Sequence, residues 1–227
     1  MDIDGTLTDS HRRLYPPAIA LLQRLDRRGV PVIIASGNVL PIALALYRFV
    51  GLSGPIVAEN GGLLYRGERG ENRVERFADR RVALRGLAAL RRAGLKPVPL
   101  FTDRWRESEV ALEATISVRR ARSVLARQPV DVVPTGYAVH LIEKGVGKLS
   151  TLRAALQPFG LGPEDCLVAG DGENDVPMLE AAGWAVSFRR ADPLARRAAD
   201  YLARSSNAAG FVEALKQARV LSPRRSG

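Results

Sequence analysis

Short apolar runs alternate with amphipathic stretches along this chain, and that alternation limits its fold more than any other feature. The apolar runs have the length of buried strands and lie at residues 30–35, 55–58, 166–169 and 184–186. The amphipathic stretches place apolar side chains on one helical face and lie at residues 16–28, 40–50 and 149–159. Strands and helices that alternate in this way predict an α/β fold with a doubly wound parallel sheet.

The middle of the chain has a different order of predicted helices and strands, which indicates an inserted domain. Helices are expected at residues 79–93 and 117–128, and strands at 109–113, 130–133 and 138–142. Glycine-containing stretches at 66–70 and 143–147 are the expected hinges. We therefore predict a core made of residues 1–76 and 144–227, with a small α/β cap domain at 77–143.

The composition indicates a globular protein and limits where in the cell it is expected. The chain has 227 residues, 46% of them hydrophobic, which is enough for a real core. None of its apolar runs approaches the ~18 residues of a membrane span. Its single cysteine, Cys166, has no partner for an internal disulfide, and the sequence opens without a secretion signal. These features predict a cytoplasmic protein without a membrane partner.

The formal charge of +10 is concentrated in one segment. Residues 64–127 contain 16 Lys and Arg against 8 Asp and Glu. Such an excess is typical of proteins that bind nucleic acid, a membrane surface or a small acidic substrate. Nucleic-acid binding would need aromatic platforms, but the aromatic residues of the segment have no regular spacing. We expect no nucleic-acid partner, and a small anion remains the favoured ligand.

Two acidic loops contain the candidate functional residues. The chain begins Asp2-Ile3-Asp4-Gly5-Thr6, and Gly170-Asp171-Gly172-Glu173-Asn174-Asp175 follows an apolar run much later. Residues two apart on a strand point to the same side, so Asp2 and Asp4 can present two carboxylates together. In open α/β sheets, ligands bind at the carboxyl ends of the strands. Both loops should therefore face one crevice, where a divalent cation would relieve the repulsion between carboxylates.

The two loops resemble the first and fourth motifs of the haloacid dehalogenase superfamily of phosphotransferases. Ser36-Gly37-Asn38, after the run at 30–35, resembles the second motif, and Lys148 resembles the lysine of the third. The resemblance spans the whole chain and includes an insert placed as in the C2-capped branch. Within that branch the short cap and the segment at 57–62 look most like archaeal phosphoglycolate phosphatases.

The resemblance implies a role for each motif residue. Asp2 would attack phosphorus and form an aspartyl-phosphate, and Asp4 would act as general acid and then as base. Mg²⁺ would be held by the Asp2 carboxylate, the Asp4 main-chain carbonyl and Asp171, with Asp175 at or near the metal. The phosphoryl oxygens would be bound by a further set of residues, namely Lys148, Ser36, Gly37 and Asn38.

Simpler interpretations exist for the same residues. Asp2, Asp4 and Asp171 are also typical of turns, and Asp175 of the start of a helix. Ser36 could cap the following helix. Lys144 competes with Lys148 for the role of the third motif. His11 and His140 have no partner pattern, so we expect them at the surface or in the core.

The substrate is expected to be a small phosphoester that carries a carboxylate, with 2-phosphoglycolate preferred. The basic middle segment would attract such an anion, and Arg104 and Arg106 either pair with its carboxylate or belong to a solvated basic loop. Two alternatives stay open. A sugar-phosphate phosphatase of the same branch would share every motif residue, and a non-enzymatic nucleic-acid binder is the remote alternative.

The start of the chain departs from the resemblance. Family members place an apolar strand ahead of the nucleophile, whereas only Met1 precedes Asp2 here. A strand typically has ~5–6 residues. We therefore expect the natural protein to begin several residues upstream.

Overall fold

A computed structural model describes residues 1–68 and 71–218 of the chain. The helices are α1 Pro16–Asp26, α2 Leu40–Val50, α3 Arg80–Arg92, α4 Val118–Leu125, α5 Lys148–Leu156, α6 Val176–Ala181, α7 Pro193–Ala198 and α8 Asn207–Gln217. The strands are β1 Ile34–Ala35, β2 Ile56–Ala58, β3 Leu63–Glu68, β4 Glu71–Arg76, β5 Val110–Glu113, β6 Val130–Pro134, β7 Ala138–Glu143, β8 Leu167–Ala169, β9 Trp184–Phe188 and β10 Tyr201–Ala203. No helix in these two ranges is long and apolar enough to cross a membrane.

Two groups of parallel strands flank the beginning of the chain. β1 pairs with β2, while β9 lies between β8 and β10. Between the groups, the Ala35 N–H donates to the Met1 carbonyl at 2.8 Å, and the Asp2 N–H donates to the Ala169 carbonyl at 3.1 Å. Helices α2, α5, α6 and α8 pack against these strands. The predicted α/β fold with a doubly wound parallel sheet is confirmed.

One apolar core holds the sheet to its helices. All three residues of β2 are buried, and the side chains of Leu22, Ile34, Phe188 and Phe211 are almost completely buried as well. Each such side chain contributes about 1.5–3 kcal/mol through burial. Because Asp2 bonds to Ala169 at the end of β8 and the second acidic loop follows the same strand, packing fixes the two acidic loops at the same edge of the sheet.

The predicted hinge at residues 66–70 is wrong for the part that the structure describes. Residues 66–68 belong to β3, which pairs antiparallel with both β2 and β4. The remaining hinge residues, 69 and 70, lie outside the described residues. β4 was not predicted because most of its side chains are exposed and charged, as is common in edge strands. An edge strand of this kind lacks the apolar alternation that identifies buried strands.

The predicted strand at 30–35 is shorter in the structure. Only Ile34 and Ala35 form β1, and Val30 is exposed. The register pairs Ile34 with Ile56 and Ala35 with Val57. Because β2 itself begins at Ile56, β1 has no partner for earlier residues, and a strand needs a ladder partner.

The inserted unit has its own antiparallel sheet, in which β7 lies between β5 and β6. α3 and α4 cover it, and a second apolar cluster includes Leu90, Leu112, Leu125 and Leu141. Asp79 caps α3 by accepting a hydrogen bond from the Arg81 N–H at 2.8 Å. We call this unit, from α3 to β7, the cap. Its predicted helices and strands are found with small changes at their ends, whereas the domain boundaries at 76/77 and 143/144 stay predictions.

Candidate active site

The first acidic loop turns sharply away from the sheet. Gly5 has φ +77°, and a Cβ at this position would overlap the carboxylate of Asp171. The loop is fixed by the Gly5 N–H, which donates to Thr8 Oγ1 at 3.0 Å, and by Thr6 Oγ1, which donates to Asp171 Oδ1 at 3.3 Å. Only glycine satisfies both the left-handed backbone and the close approach. The turn therefore brings the first acidic loop directly against the second.

The second acidic loop is organised around Asp175. Its Oδ2 accepts hydrogen bonds from the N–H groups of Asp171 and Gly172, each at 3.0 Å. Its Oδ1 accepts from Lys148 Nζ at 2.6 Å. Asp175 thus shapes the loop with one carboxylate oxygen and meets the lysine with the other.

Lys148 lies between the two acidic loops at the start of α5. Its Nζ is 2.7 Å from Asp2 Oδ1 as well as 2.6 Å from Asp175 Oδ1. Burial alone would lower the pKa of Lys148, but the charges of Asp175 and Asp2 outweigh it and raise the pKa above its usual value. Lys144, the competing lysine, is exposed on another surface, beside β6 and the end of α4. The structure therefore brings Lys148 and not Lys144 to the acidic loops.

The Ser36-Gly37-Asn38 segment follows β1 and contacts the first acidic loop. Asn38 Nδ2 donates to Asp4 Oδ2 at 2.6 Å and to Ser36 Oγ at 3.2 Å. The Asn38 N–H also donates to Ser36 Oγ, at 3.1 Å. Ser36 therefore acts as an acceptor within its own loop, which leaves its hydroxyl proton to donate elsewhere.

Three carboxylates are close enough to share a cation. Oxygens of Asp2, Asp171 and Asp175 all lie within 4.8 Å of one another. Burial, followed by the charge of Asp175, raises the pKa of Asp2 to about 7 although Lys148 opposes the shift. Burial, Asp2 and Asp175 likewise raise the pKa of Asp171 to about 8. Oxygen donors that repel one another in this way fit a divalent cation such as Mg²⁺. The Asp4 carboxylate bonds to Asn38 instead, so the metal role of Asp4 through its carbonyl stays a prediction.

These pKa values predict a pH-dependent effect of magnesium on stability. Both aspartates have pKa values above the ~3.9 of an unfolded chain, so the metal-free folded protein binds the extra protons. The contribution of these two groups to the stability of the metal-free protein is fully present below about pH 4. It is lost as the pH rises through about 7 to 8. Saturating Mg²⁺ should therefore raise Tm by about 5–10 °C near pH 8 and by much less near pH 5.

Differential scanning calorimetry with MgCl₂ or EDTA at both pH values checks this expectation. Asp171→Asn is the matched control, because it removes one of the three carboxylates and should lose most of the shift near pH 8. A magnesium effect that is equal at the two pH values would contradict the assignment of these carboxylates to the metal.

The cap closes over the acidic loops and forms a small cavity. The cavity has a volume of about 240 Å³. The core contributes the acidic residues and Arg12, while the cap contributes Thr135, Gly136 and Tyr137 from the turn between β6 and β7. Burial, together with the charge of Asp4, raises the pKa of Tyr137 to about 12. No sequence motif marks these cap residues or Arg12, so they could not be identified from the sequence.

Glu59 and Asn60 connect the core to the cap through a strained loop. Both are non-glycine residues in the left-handed region, with φ values of 51° and 54°. Glu59 Oε2 accepts from the Ser108 N–H at 2.9 Å and from Ser108 Oγ at 2.6 Å. Asn60 Nδ2 donates to Glu109 Oε2 at 3.0 Å, and Asn60 Oδ1 accepts from Asn174 at 2.9 Å. Such strain persists where surrounding contacts enforce it, and here those contacts join three loops around the site.

Arg106 and His140 are partners of a buried glutamate, which corrects the expectation that Arg106 pairs with a substrate carboxylate. The side chains of Arg106 and Glu109 form an ion pair and are 2% and 0% exposed. His140, expected at the surface or in the core, is buried in the core and places Nδ1 3.0 Å from Glu109 Oε1. Although burial raises the pKa of Glu109, His140 and Arg106 lower it below its usual value. Arg106 also donates to the Gly37 carbonyl at 3.0 Å, so it braces a motif loop and is not free for a substrate.

Arg104, the other cap arginine considered for a substrate carboxylate, lies on an aromatic surface of the cap. Its guanidinium is 4.3 Å from the ring centre of Phe101 and 5.9 Å from that of Trp105. Arg104 is not among the residues that line the cavity. The structure does not bring it together with the acidic loops.

Glu109→Ala should destabilise the protein strongly. The substitution leaves Arg106 buried without its carboxylate, and breaking a buried pair costs about 3–5 kcal/mol. We expect Tm to fall by about 10 °C. The control is Glu113→Ala, an exposed glutamate at the end of β5, which should change Tm little. Equal Tm values for the two variants would contradict a stabilising role for the buried pair.

Comparison with known proteins gives consistent matches over nearly the whole chain. The family model described as haloacid dehalogenase-like hydrolase matches residues 1–103 and 131–215. A phosphoglycolate phosphatase of Methanothermobacter thermautotrophicus is 38% identical over 219 residues, covering 96% of both chains. One from Methanospirillum hungatei is 33% identical and covers 95% of this chain and 93% of its own. Among solved structures, a Thermoplasma acidophilum protein has a TM-score of 0.85 at 25% identity, over 95% of both chains.

Proposed function

Because the chain belongs to the haloacid dehalogenase-like hydrolases, we propose that it is a Mg²⁺-dependent phosphomonoester hydrolase that acts on 2-phosphoglycolate. The observation that carries the proposal is the convergence of Asp2, Asp171 and Asp175 around Lys148. This arrangement combines a carboxylate nucleophile, a cation site and a fixed positive charge. Relatives named phosphoglycolate phosphatase support the choice of substrate.

Asp2 would be the nucleophile, and Asp4 would be the general acid and base. The Asp2 carboxylate would attack phosphorus, displace the alkoxide and form an aspartyl-phosphate, which splits one difficult hydrolysis into two easier steps. Asp4 would give a proton to the departing oxygen and then accept one from the attacking water. The hydrogen bond from Asn38 Nδ2 to Asp4 Oδ2 holds this second carboxylate in place. After water attacks, inorganic phosphate leaves and the Asp2 carboxylate is restored.

The phosphoryl group would be held by donors from the start of α5 and from the loop after β1. Lys148 offers a buried ammonium, and Ser36 retains a free hydroxyl proton because its oxygen already accepts from Asn38. The backbone amides of Gly37 and Asn38 lie in the same loop, which Arg106 braces through the Gly37 carbonyl. Donors fixed before the reaction stabilise charge that develops on the transferring group.

Magnesium would supply positive charge that offsets the charges of the phosphoryl group and the nucleophile. The carboxylates of Asp2, Asp171 and Asp175 and the main-chain carbonyl of Asp4 would hold it. A small number of protein oxygens, completed by water and phosphate, suits this cation.

The size and surroundings of the cavity favour a small acidic substrate. Its volume of about 240 Å³ lies below the ~300–1,000 Å³ that is typical of pockets for larger ligands. The basic excess of residues 64–127 would attract a multiply charged anion to the cap. A two-carbon phosphoester with a carboxylate meets both conditions, whereas a sugar phosphate is larger and less charged.

A phosphoester panel tests the proposal directly. Initial rates are measured on 2-phosphoglycolate, hexose phosphates and p-nitrophenyl phosphate, each with MgCl₂ or with EDTA. We expect the highest kcat/KM on 2-phosphoglycolate and loss of activity with EDTA. A higher kcat/KM on a hexose phosphate would favour the sugar-phosphate alternative. No turnover of any ester with magnesium would overturn the proposed hydrolase activity.

A further inference from the structure

The cavity contains an unusual imbalance of charge. Its lining includes five aspartates from the core and one cationic side chain, that of Arg12. Two of those aspartates, Asp2 and Asp175, contact Lys148, which would meet the phosphoryl group. A substrate that also carries a carboxylate would need a second positive charge on the other side of the cavity. Among the described residues that line it, Arg12 is the one that can provide that charge.

The loop that carries Arg12 is built to hold it in one position. Arg12 has φ +59°, a left-handed conformation that is uncommon for a residue with a long side chain. The Asp9 carbonyl accepts from the Arg12 N–H at 3.0 Å, and Asp9 Oδ1 accepts from the N–H groups of His11 and Arg13 at 2.8 and 3.0 Å. These bonds fix the turn, which explains how the strained backbone persists.

The guanidinium of Arg12 meets the cap. It lies 4.4 Å from the ring centre of Tyr137, which orients it without neutralising it. The neighbouring Arg13 pairs with Asp9 at 3.0 Å, and Arg106 pairs with Glu109. Within residues 1–68 and 71–218, the structure gives Arg12 no carboxylate partner. Its charge is therefore available to a ligand, and the cap places Tyr137 against it.

We propose that Arg12 binds the carboxylate of the substrate and that Tyr137 of the cap holds the guanidinium in place by stacking. The inference rests on the proposed function, since it names the residue that would select a carboxylate-bearing phosphoester. A guanidinium matches a carboxylate in planar, bidentate geometry. Selectivity thus comes from a core loop, and the cap contributes by fixing that loop's arginine when it closes.

The test compares KM for 2-phosphoglycolate and for p-nitrophenyl phosphate, which has no carboxylate. Arg12→Gln should raise KM for 2-phosphoglycolate by about 10- to 100-fold, the usual worth of hydrogen bonds to a charged group. Its KM for p-nitrophenyl phosphate should change by less than about 3-fold. Arg12→Lys should lie between wild type and Arg12→Gln, because it keeps the charge and loses the planar geometry. Arg24→Gln, an exposed arginine of α1 outside the cavity, is the matched control and should leave both KM values unchanged.

Tyr137 gives an independent readout. Tyr137→Phe keeps the ring and should keep KM for 2-phosphoglycolate, whereas Tyr137→Ala should raise it several-fold without a matching rise for p-nitrophenyl phosphate. Unchanged KM for 2-phosphoglycolate in Arg12→Gln, or an equal rise for both esters, would overturn the inference while leaving the proposed function intact. A wild-type enzyme that hydrolyses p-nitrophenyl phosphate but neither hydrolyses nor is inhibited by 2-phosphoglycolate would overturn the proposed function and this inference with it.

Discussion

Asp2→Asn is expected to lower kcat by about 10⁴-fold or more, the scale seen when a catalytic nucleophile is removed. An amide is a poor nucleophile and also removes one carboxylate of the cation cluster. Both effects act on the same step, so residual activity should be close to background. The measurement is the steady-state rate on 2-phosphoglycolate and on p-nitrophenyl phosphate with saturating MgCl₂.

Loss of activity in Asp2→Asn must be separated from loss of folding. The pKa of Asp2 is raised to about 7, which means that the folded protein disfavours its charged form. Replacing Asp2 by a neutral amide should therefore leave the Tm of the metal-free protein near pH 8 unchanged or higher. Glu180→Gln, an exposed carboxylate-to-amide change, is the matched control and should keep full activity.

Trapping identifies the covalent step. Rapid acid quench of the wild type with ³²P-labelled ester should leave label on the protein, and Asp2→Asn should carry none. Full turnover by a folded Asp2→Asn variant would falsify the aspartyl-phosphate mechanism.

The placement of the motif residues could be predicted from sequence because it depends on local patterns. The second and fourth motifs follow apolar strands and the third begins a helix, while the first bonds to the end of β8, and the parallel sheet brings strand ends to one edge. Asp2, Asp171 and Lys148 accordingly meet, although Lys148 lies 146 positions after Asp2 in the chain. Their proximity follows from topology alone, since the fold does not need to be known in detail.

The contacts between core and cap could not be predicted in the same way. Glu59 bonds to Ser108 and Asn60 to Glu109, each across 49 residues, and neither pair has a periodic or motif signal. Arg106 looked like one of several solvated arginines, yet it is buried against Glu109. A charged residue in a basic segment is typically exposed. Only the tertiary structure distinguishes the buried arginine from its neighbours.

The residue proposed to bind the substrate carboxylate could not be predicted from the sequence either. The sequence favours the cap arginines as carboxylate-binding residues, because residues 64–127 contain most of the net charge. In the structure the cap arginines 104 and 106 are held by aromatic rings and by Glu109, whereas Arg12 of the core lines the cavity. Net charge predicts long-range attraction of a ligand, and it does not say which side chain will contact it.

Lys148→Ala should have the second largest effect, a loss of about 10³-fold or more in kcat, which is the scale of removing a positive charge from a transferring phosphoryl group. Lys148 Nζ touches both Asp2 and Asp175, so the substitution also leaves three neighbouring carboxylates without a fixed positive charge. The pKa of Asp2 should then rise further, and the pH above which the nucleophile is ionised should rise with it. Lys144→Ala is the matched control, because this lysine is exposed and lies away from the acidic loops. The measurement is kcat for both variants between about pH 6 and pH 9 with saturating MgCl₂. If Lys144→Ala proved the more damaging, or if Lys148→Ala kept the activity and pH profile of the wild type, the assignment of the third motif to Lys148 would be wrong.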